Sequence, residues 1–100
     1  MSTHTLQYYR QKENEIFRTI PGMDELLHAD EDRIDKVKAR YPDAVFALMT
    51  AEDLFRGDSE RNAINQNAYF SILNGEDIPS VRRRYAKATD QYLRDHIWDD

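Results

Sequence analysis

Residues Pro42 to Gly57, PDAVFALMTAEDLFRG, are the most apolar stretch of an otherwise polar chain. Val45, Phe46, Leu48, Met49, Leu54 and Phe55 sit there among Ala44, Ala47 and Ala51. A proline near the start and a glycine at the end are the punctuation of a helix. Apolar residues on every side of a helix require burial on most sides. The stretch therefore predicts a central helix over about 43–56, with the rest of the chain wrapped around it.

The 100 residues are enough for one domain with a modest core. Leu, Ile, Val and Phe together number 21 of the 100, just above the level of roughly 20% below which a chain stays disordered. Six Tyr, three Met and one Trp supplement them, so the expected domain is folded but thinly cored. Burial against a partner or in a homodimer would add to such a core. The formal charge of −5 favours solubility and disfavours non-specific binding to phosphate backbones. There is no cysteine, which excludes disulfides, thiolate zinc sites and a cysteine nucleophile. No apolar run approaches the roughly 18 residues of a membrane span. MSTHTLQYYRQK at the start lacks the apolar segment of a signal peptide. A cytoplasmic protein with no membrane association is expected.

Around the apolar stretch the chain reads as helices throughout. Residues 5–19 form a first helix with Leu6, Tyr9, Ile16, Phe17 and Ile20 near one face, closed by the turn Ile20-Pro21-Gly22. A second helix is predicted over Asp24 to Arg40, with Met23, Leu27, Ile34, Val37 and Tyr41 at the spacing of a buried stripe. Its acids lie in the first half and its bases in the second, complementing the helix dipole. Pro42 separates it from the central helix. After Gly57, Asp58 or Ser59 caps a fourth helix that carries Ile64, Ala68, Ile72 and Leu73 inward and stops at Asn74-Gly75. Asn62, Asn65, Gln66 and Asn67, poor helix formers or polar, are read as its exposed face, the alternative being a hydrogen-bonding surface. The last helix has Pro79 in its first turn and an inner face of Val81, Tyr85, Ala88 and Tyr92, widened at the end by Leu93, Ile97 and Trp98. No useful alternation of period two appears. The expected fold is a single all-α domain over 1–100, a compact bundle of about five helices around the central one.

Few residues are arranged for chemistry. Asp24, His28 and Asp32 stand at i, i+4, i+8 on the predicted second helix, with Glu31 close by, a spacing that could hold a divalent ion. One histidine among carboxylates on an acidic helix also arises by chance, and no metal is expected. His96 with Asp99 and Asp100 is a weaker version of the same pattern. His4, His28 and His96 are scattered, and three glycines leave no phosphate-cradling loop, so neither a cofactor nor a catalytic constellation is expected. The last helix does concentrate positive charge. Arg82, Arg83, Arg84, Lys87 and Arg94 make it basic, and three consecutive arginines cannot all turn inward. Such forks suit phosphate oxygens or the carboxylates of an acidic partner. Tyr8, Tyr9 and Trp98 are the aromatic residues best suited to an interface.

Two resemblances bear on function. Ser71-Ile72-Leu73-Asn74-Gly75, then Pro79-Ser80 and Ala86-Lys87-Ala88, resembles the region after the recognition helix of lambda-repressor-like helix-turn-helix proteins. Upstream, that family places a tight turn about a dozen residues before the glycine, whereas Gly57 lies 18 residues before Gly75. Lys38-Ala39-Arg40-Tyr41-Pro42, Ile72-Leu73-Asn74-Gly75-Glu76-Asp77 and the closing Asp95-His96-Ile97-Trp98-Asp99 are similar to short uncharacterised helical proteins encoded on conjugative elements and prophages of gut Firmicutes. That resemblance implies a cytoplasmic bacterial protein and carries no activity with it. The expected function is a protein–protein interaction or accessory module without catalysis of its own, binding a protein partner or a second copy. The alternative is a nucleic-acid-binding regulator that uses the basic last helix.

Overall fold

The computed structural model describes residues 6–54 and 57–97, which are all-helical with no strand among them. The helices are α1 (Leu6–Phe17), α2 (Met23–His28), α3 (Ile34–Arg40), α4 (Pro42–Glu52), α5 (Ser59–Leu73) and α6 (Ile78–Ile97). No helix is long and apolar enough to cross a membrane, among the described residues. The chain divides into two compact units, Met1–Val45 and Phe46–Asp100.

In the first unit α1 leads to Phe17 and Ile20, both buried, with Tyr9 and Ile16 half-buried on the same side. The chain then reverses at Ile20-Pro21-Gly22-Met23. The Met23 amide donates to the Ile20 carbonyl at 3.1 Å, and Gly22 adopts φ +84°, ψ −6°. Proline at the second position and a left-handed glycine at the third make this a type II turn. Gly22 has a second constraint, because a Cβ there would fall on the ring of Tyr41.

The predicted second helix is two helices, and this turns five helices into six. α2 stops at His28, Ala29 is extended, and residues 31–33 form a turn before α3. The amides of Arg33 and Ile34 both donate to the Asp30 carbonyl, which starts α3 afresh. Three consecutive carboxylates, two of them on the poor helix former Asp, weaken helix continuity at this point. The His28 ring adds to this, its Nδ1 lying 2.8 Å from the Asp24 carbonyl. The break changes which residues face inward. Met23, Leu26 and Val37 are buried, whereas Leu27, assigned to the inner stripe of a continuous helix, is 58% exposed.

α4 forms over most of the expected stretch and ends at Glu52, not 56; Phe55 lies outside the described residues. It is not buried all round. The fully buried positions are Ala44, Ala47 and Thr50, at i, i+3 and i+6, while Val45, Phe46, Leu48 and Met49 are half-buried.

In the second unit α5 and α6 pack along each other in an antiparallel pair. The loop between them begins with a Schellman motif. The Gly75 amide donates to the Ile72 carbonyl and the Glu76 amide to the Ser71 carbonyl, with Gly75 at φ +87°. Asp77 caps α6 by accepting from the Ser80 amide at 3.0 Å. Ala68, Tyr69, Ile72, Leu73 and Val81 are buried. Asn65, expected on an exposed face, is buried too. Its Nδ2 donates to the Thr50 carbonyl at 2.8 Å, satisfying a carbonyl that the last turn of α4 leaves without an intrahelical partner. The end of α6 corrects a further expectation, since Leu93 is 44% exposed and does not widen the inner face. Trp98 lies outside the described residues.

Candidate functional site

The antiparallel pair is held at its open end by polar side chains. Asp58 caps α5 through Oδ1, which accepts from the Arg61 amide at 2.9 Å, while its Oδ2 accepts from the Tyr92 hydroxyl at 2.6 Å. Those bonds, that of Tyr92 first, hold the Asp58 carboxyl below its ordinary range and push the Tyr92 hydroxyl above its own. Arg61 reaches across from α5, donating to Tyr85 Oη at 2.9 Å and Thr89 Oγ1 at 3.2 Å. His96 stacks on Tyr92, with ring centroids 4.1 Å apart. Its Nδ1 donates to the Tyr92 carbonyl at 2.9 Å, and its Nε2 faces Glu60 at 3.3 Å. The imidazole thus meets an acceptor on each nitrogen, and the carbonyl bond first, then Glu60, raises its pKa above the ordinary 6.5. This network clamps the two helices together.

Nearer the loop the same two helices leave an open groove of about 330 Å³. Ala63, Ile64 and Ala68 of α5 face Val81, Tyr85 and Ala88 of α6, with Asn67 and Arg84 at the edges. Alanines at three of these positions keep the wall short and leave the space unfilled. Ile64, expected to turn inward, is half-buried as part of this lining.

Of the basic residues singled out from sequence, Arg84 lines this groove, and Arg82, Arg83 and Lys87 lie in the same half of α6. Arg82, Arg83, Arg84 and Lys87 are all exposed, and residues 78–88 contain no acid to offset them. Arg84 pairs with Glu76 at 2.6 Å and Arg83 donates to Ser80 Oγ at 3.0 Å. Arg94 stands apart, paired with Asp90 at 2.8 Å. The candidate metal spacing is not brought together: α2 ends at His28, so Asp32 falls in the following turn, and Asp24 Oδ1 lies 3.4 Å from His28 Nδ1. No group of three or more metal-ligating side chains occurs among the described residues. Of the interface aromatics, Tyr8 is 38% exposed and meets Tyr9 edge to face at 5.3 Å in α1, and Trp98, like Asp99 and Asp100, lies outside the described residues.

Sequence reading missed the groove and the clamp together. Tyr85, Thr89 and Tyr92 were legible as helix positions, but their partners lie 24 to 34 residues away in the chain. The one usable signal was Asp58, already recognisable as a cap. No family model, curated protein or solved structure matches the chain.

Proposed function

We propose that this is a small helical interaction module of the cytoplasm, without catalysis of its own, which docks a protein partner on the α5–α6 face. The observation that carries the reading is the apolar groove lined by Ala63, Ile64, Ala68, Val81 and Ala88, with the exposed Arg84 at its edge. An aliphatic side chain gains by leaving water for such a lining, and the surrounding charge selects what accompanies it. Phosphate has no use for an apolar floor. A photoreactive benzophenone residue at position 67, on the groove edge, tests this in the native host. One protein is expected to be captured repeatedly there and not by the same group at the exposed Lys36 of α3. Absence of any adduct specific to position 67 overturns the reading.

Nucleic-acid binding is favoured by one observation, the run of exposed Arg82, Arg83, Arg84 and Lys87 without an acid among them. Against it, Arg61, the one base of α5, is turned onto α6, so α5 offers no free cation to a phosphate backbone. A duplex probe at low salt is therefore expected to show no shift. A salt-sensitive complex abolished by replacing Arg82, Arg83 and Arg84 with Ala would put the nucleic-acid reading in its place.

A further inference from the structure

We propose that the occupant of the α5–α6 groove is a second copy of this chain, which inserts Leu27 and sets Asp30, Glu31 and Asp32 against Arg83, Arg84 and Lys87. The inference rests on the reading of the groove as a protein-docking surface and names its partner.

Two features left over from the fold are complementary to the groove. Leu27 is the most exposed of the large apolar residues described, at 58%, because the break after α2 turned Leu26 inward in its place. Around it, residues 24–32 hold five carboxylates and no Lys or Arg, and Asp24, Glu25, Asp30, Glu31 and Asp32 are all exposed. The groove supplies the counterpart. Its volume of about 330 Å³ is room for roughly ten waters at about 30 Å³ each, ample for an isobutyl side chain. Residues 78–88 hold four cations and no acid. Arg84 lines the groove, and Lys87 at i+3 from it and Arg83 at i−4 from Lys87 continue from Arg84 around the same side of α6, away from the lining. Lys87 has no hydrogen-bond or ion-pair partner among the described residues. The Arg84–Glu76 pair is about half exposed on both sides and is therefore weak enough to share with an incoming carboxylate. One apolar anchor flanked by acid, meeting one apolar slot flanked by base, is the arrangement in which apolar burial supplies affinity and charge supplies register. In a dimer formed by reciprocal exchange the same contact would be made twice.

Sedimentation equilibrium of the purified full chain tests this at about 0.05 M and about 0.5 M salt, either side of the point where the Debye length is about 10 Å. A dimer is expected at low salt, with its dissociation constant raised about tenfold or more at high salt. Leu27→Asp, at an exposed position, is expected to keep the helical circular dichroism and to be monomeric. Asp30→Lys with Glu31→Lys, and separately Arg83→Glu with Lys87→Glu, should each weaken the dimer about tenfold or more, and an equimolar mixture of the two variants should restore it. In a mixture of ¹⁴N and ¹⁵N chains, benzophenone at position 67 should join peptides of opposite label that contain Leu27. A wild-type monomer at low salt up to about 1 mM, where binding would be weaker than about −4 kcal/mol, overturns the proposal. So does a dimer that survives both charge reversals. If the chain is monomeric yet position 67 still captures another protein in cells, the second-copy assignment falls and the docking reading stands; if neither is seen, both fall.

Discussion

Gly22 and Gly75 share a left-handed backbone, at φ +84° and +87°, but their surroundings differ. At Gly75 nothing lies within 4 Å of where a Cβ would be, so Gly75→Ala carries only the left-handed penalty, about 1 kcal/mol. At Gly22 the same methyl would collide with the Tyr41 ring, and overpacking adds about 1–3 kcal/mol to that penalty. Urea unfolding should therefore rank Gly22→Ala as clearly the more damaging. In a Tyr41→Ala background the gap between the two should close to a few tenths of a kcal/mol, since the ring is what separates them. An equal cost for both glycines in the wild-type background would mean that Tyr41 yields freely. Asn65 allows a second comparison at this scale. Its amide serves the buried Thr50 carbonyl, so Asn65→Leu is expected to cost about 2 kcal/mol. Asn65→Asp should be worse at neutral pH, where a carboxylate faces a carbonyl, and should recover partly in acid, where the protonated carboxyl donates. A ranking of Asp above Leu at pH 7, by the same unfolding measurement, would show that the bond is not made as described.

Elements were legible where the chain carries its own stop signals. Pro21-Gly22, Pro42, Asp58 and Asn74-Gly75 each bound a helix in the structure as in the sequence, because proline geometry, capping oxygens and left-handed glycine act within a few residues. The division of α2 from α3 was missed for the opposite reason. An apolar stripe through Leu27 and Ile34 satisfies helical spacing over 24–40, and the periodicity outweighed Asp30-Glu31-Asp32, a run whose side chains favour a fresh helix start. With the break in place, the α2 stripe shifts by one residue and exposes Leu27. The groove was illegible for a further reason. Alanines at 63, 68 and 88 read as good helix formers, and only the pairing of α5 with α6 shows that they leave space between them. The buried Asn65 likewise depends on a carbonyl 15 residues away.

For the molecule as a whole, polar groups at the two ends of α6 set opposing pH limits. Asp58 is held below its ordinary 3.8 by Tyr92 and the Arg61 amide, and Asp77 by the Ser80 hydroxyl and amide. A lowered folded pKa means that the unfolded chain binds the proton more readily. The contribution of both acids is thus present above about pH 4 and lost as pH falls through their folded values. His96 works in the other direction. Its folded pKa is raised above 6.5, first by the Tyr92 carbonyl and then by Glu60, so its contribution is complete below 6.5 and lost as pH rises through the folded value. The Tyr92 hydroxyl, raised above 10 by donating to Asp58, holds until strongly alkaline pH. Thermal midpoints measured from pH 3 to 9 should therefore pass through a maximum on the acid side of neutrality. His96→Gln should flatten the decline above pH 6.5 and make the acid limb slightly shallower, because the charged imidazole is one of the groups that hold Asp58 low. Asp77→Asn should shallow the acid limb and leave the decline above neutrality untouched, because Asp77 and His96 sit at opposite ends of α6. If His96→Gln leaves the slope above pH 6.5 unchanged, the imidazole does not bridge Tyr92 and Glu60 in solution, and α6 is clamped to α5 there by the Asp58–Tyr92 and Arg61 bonds.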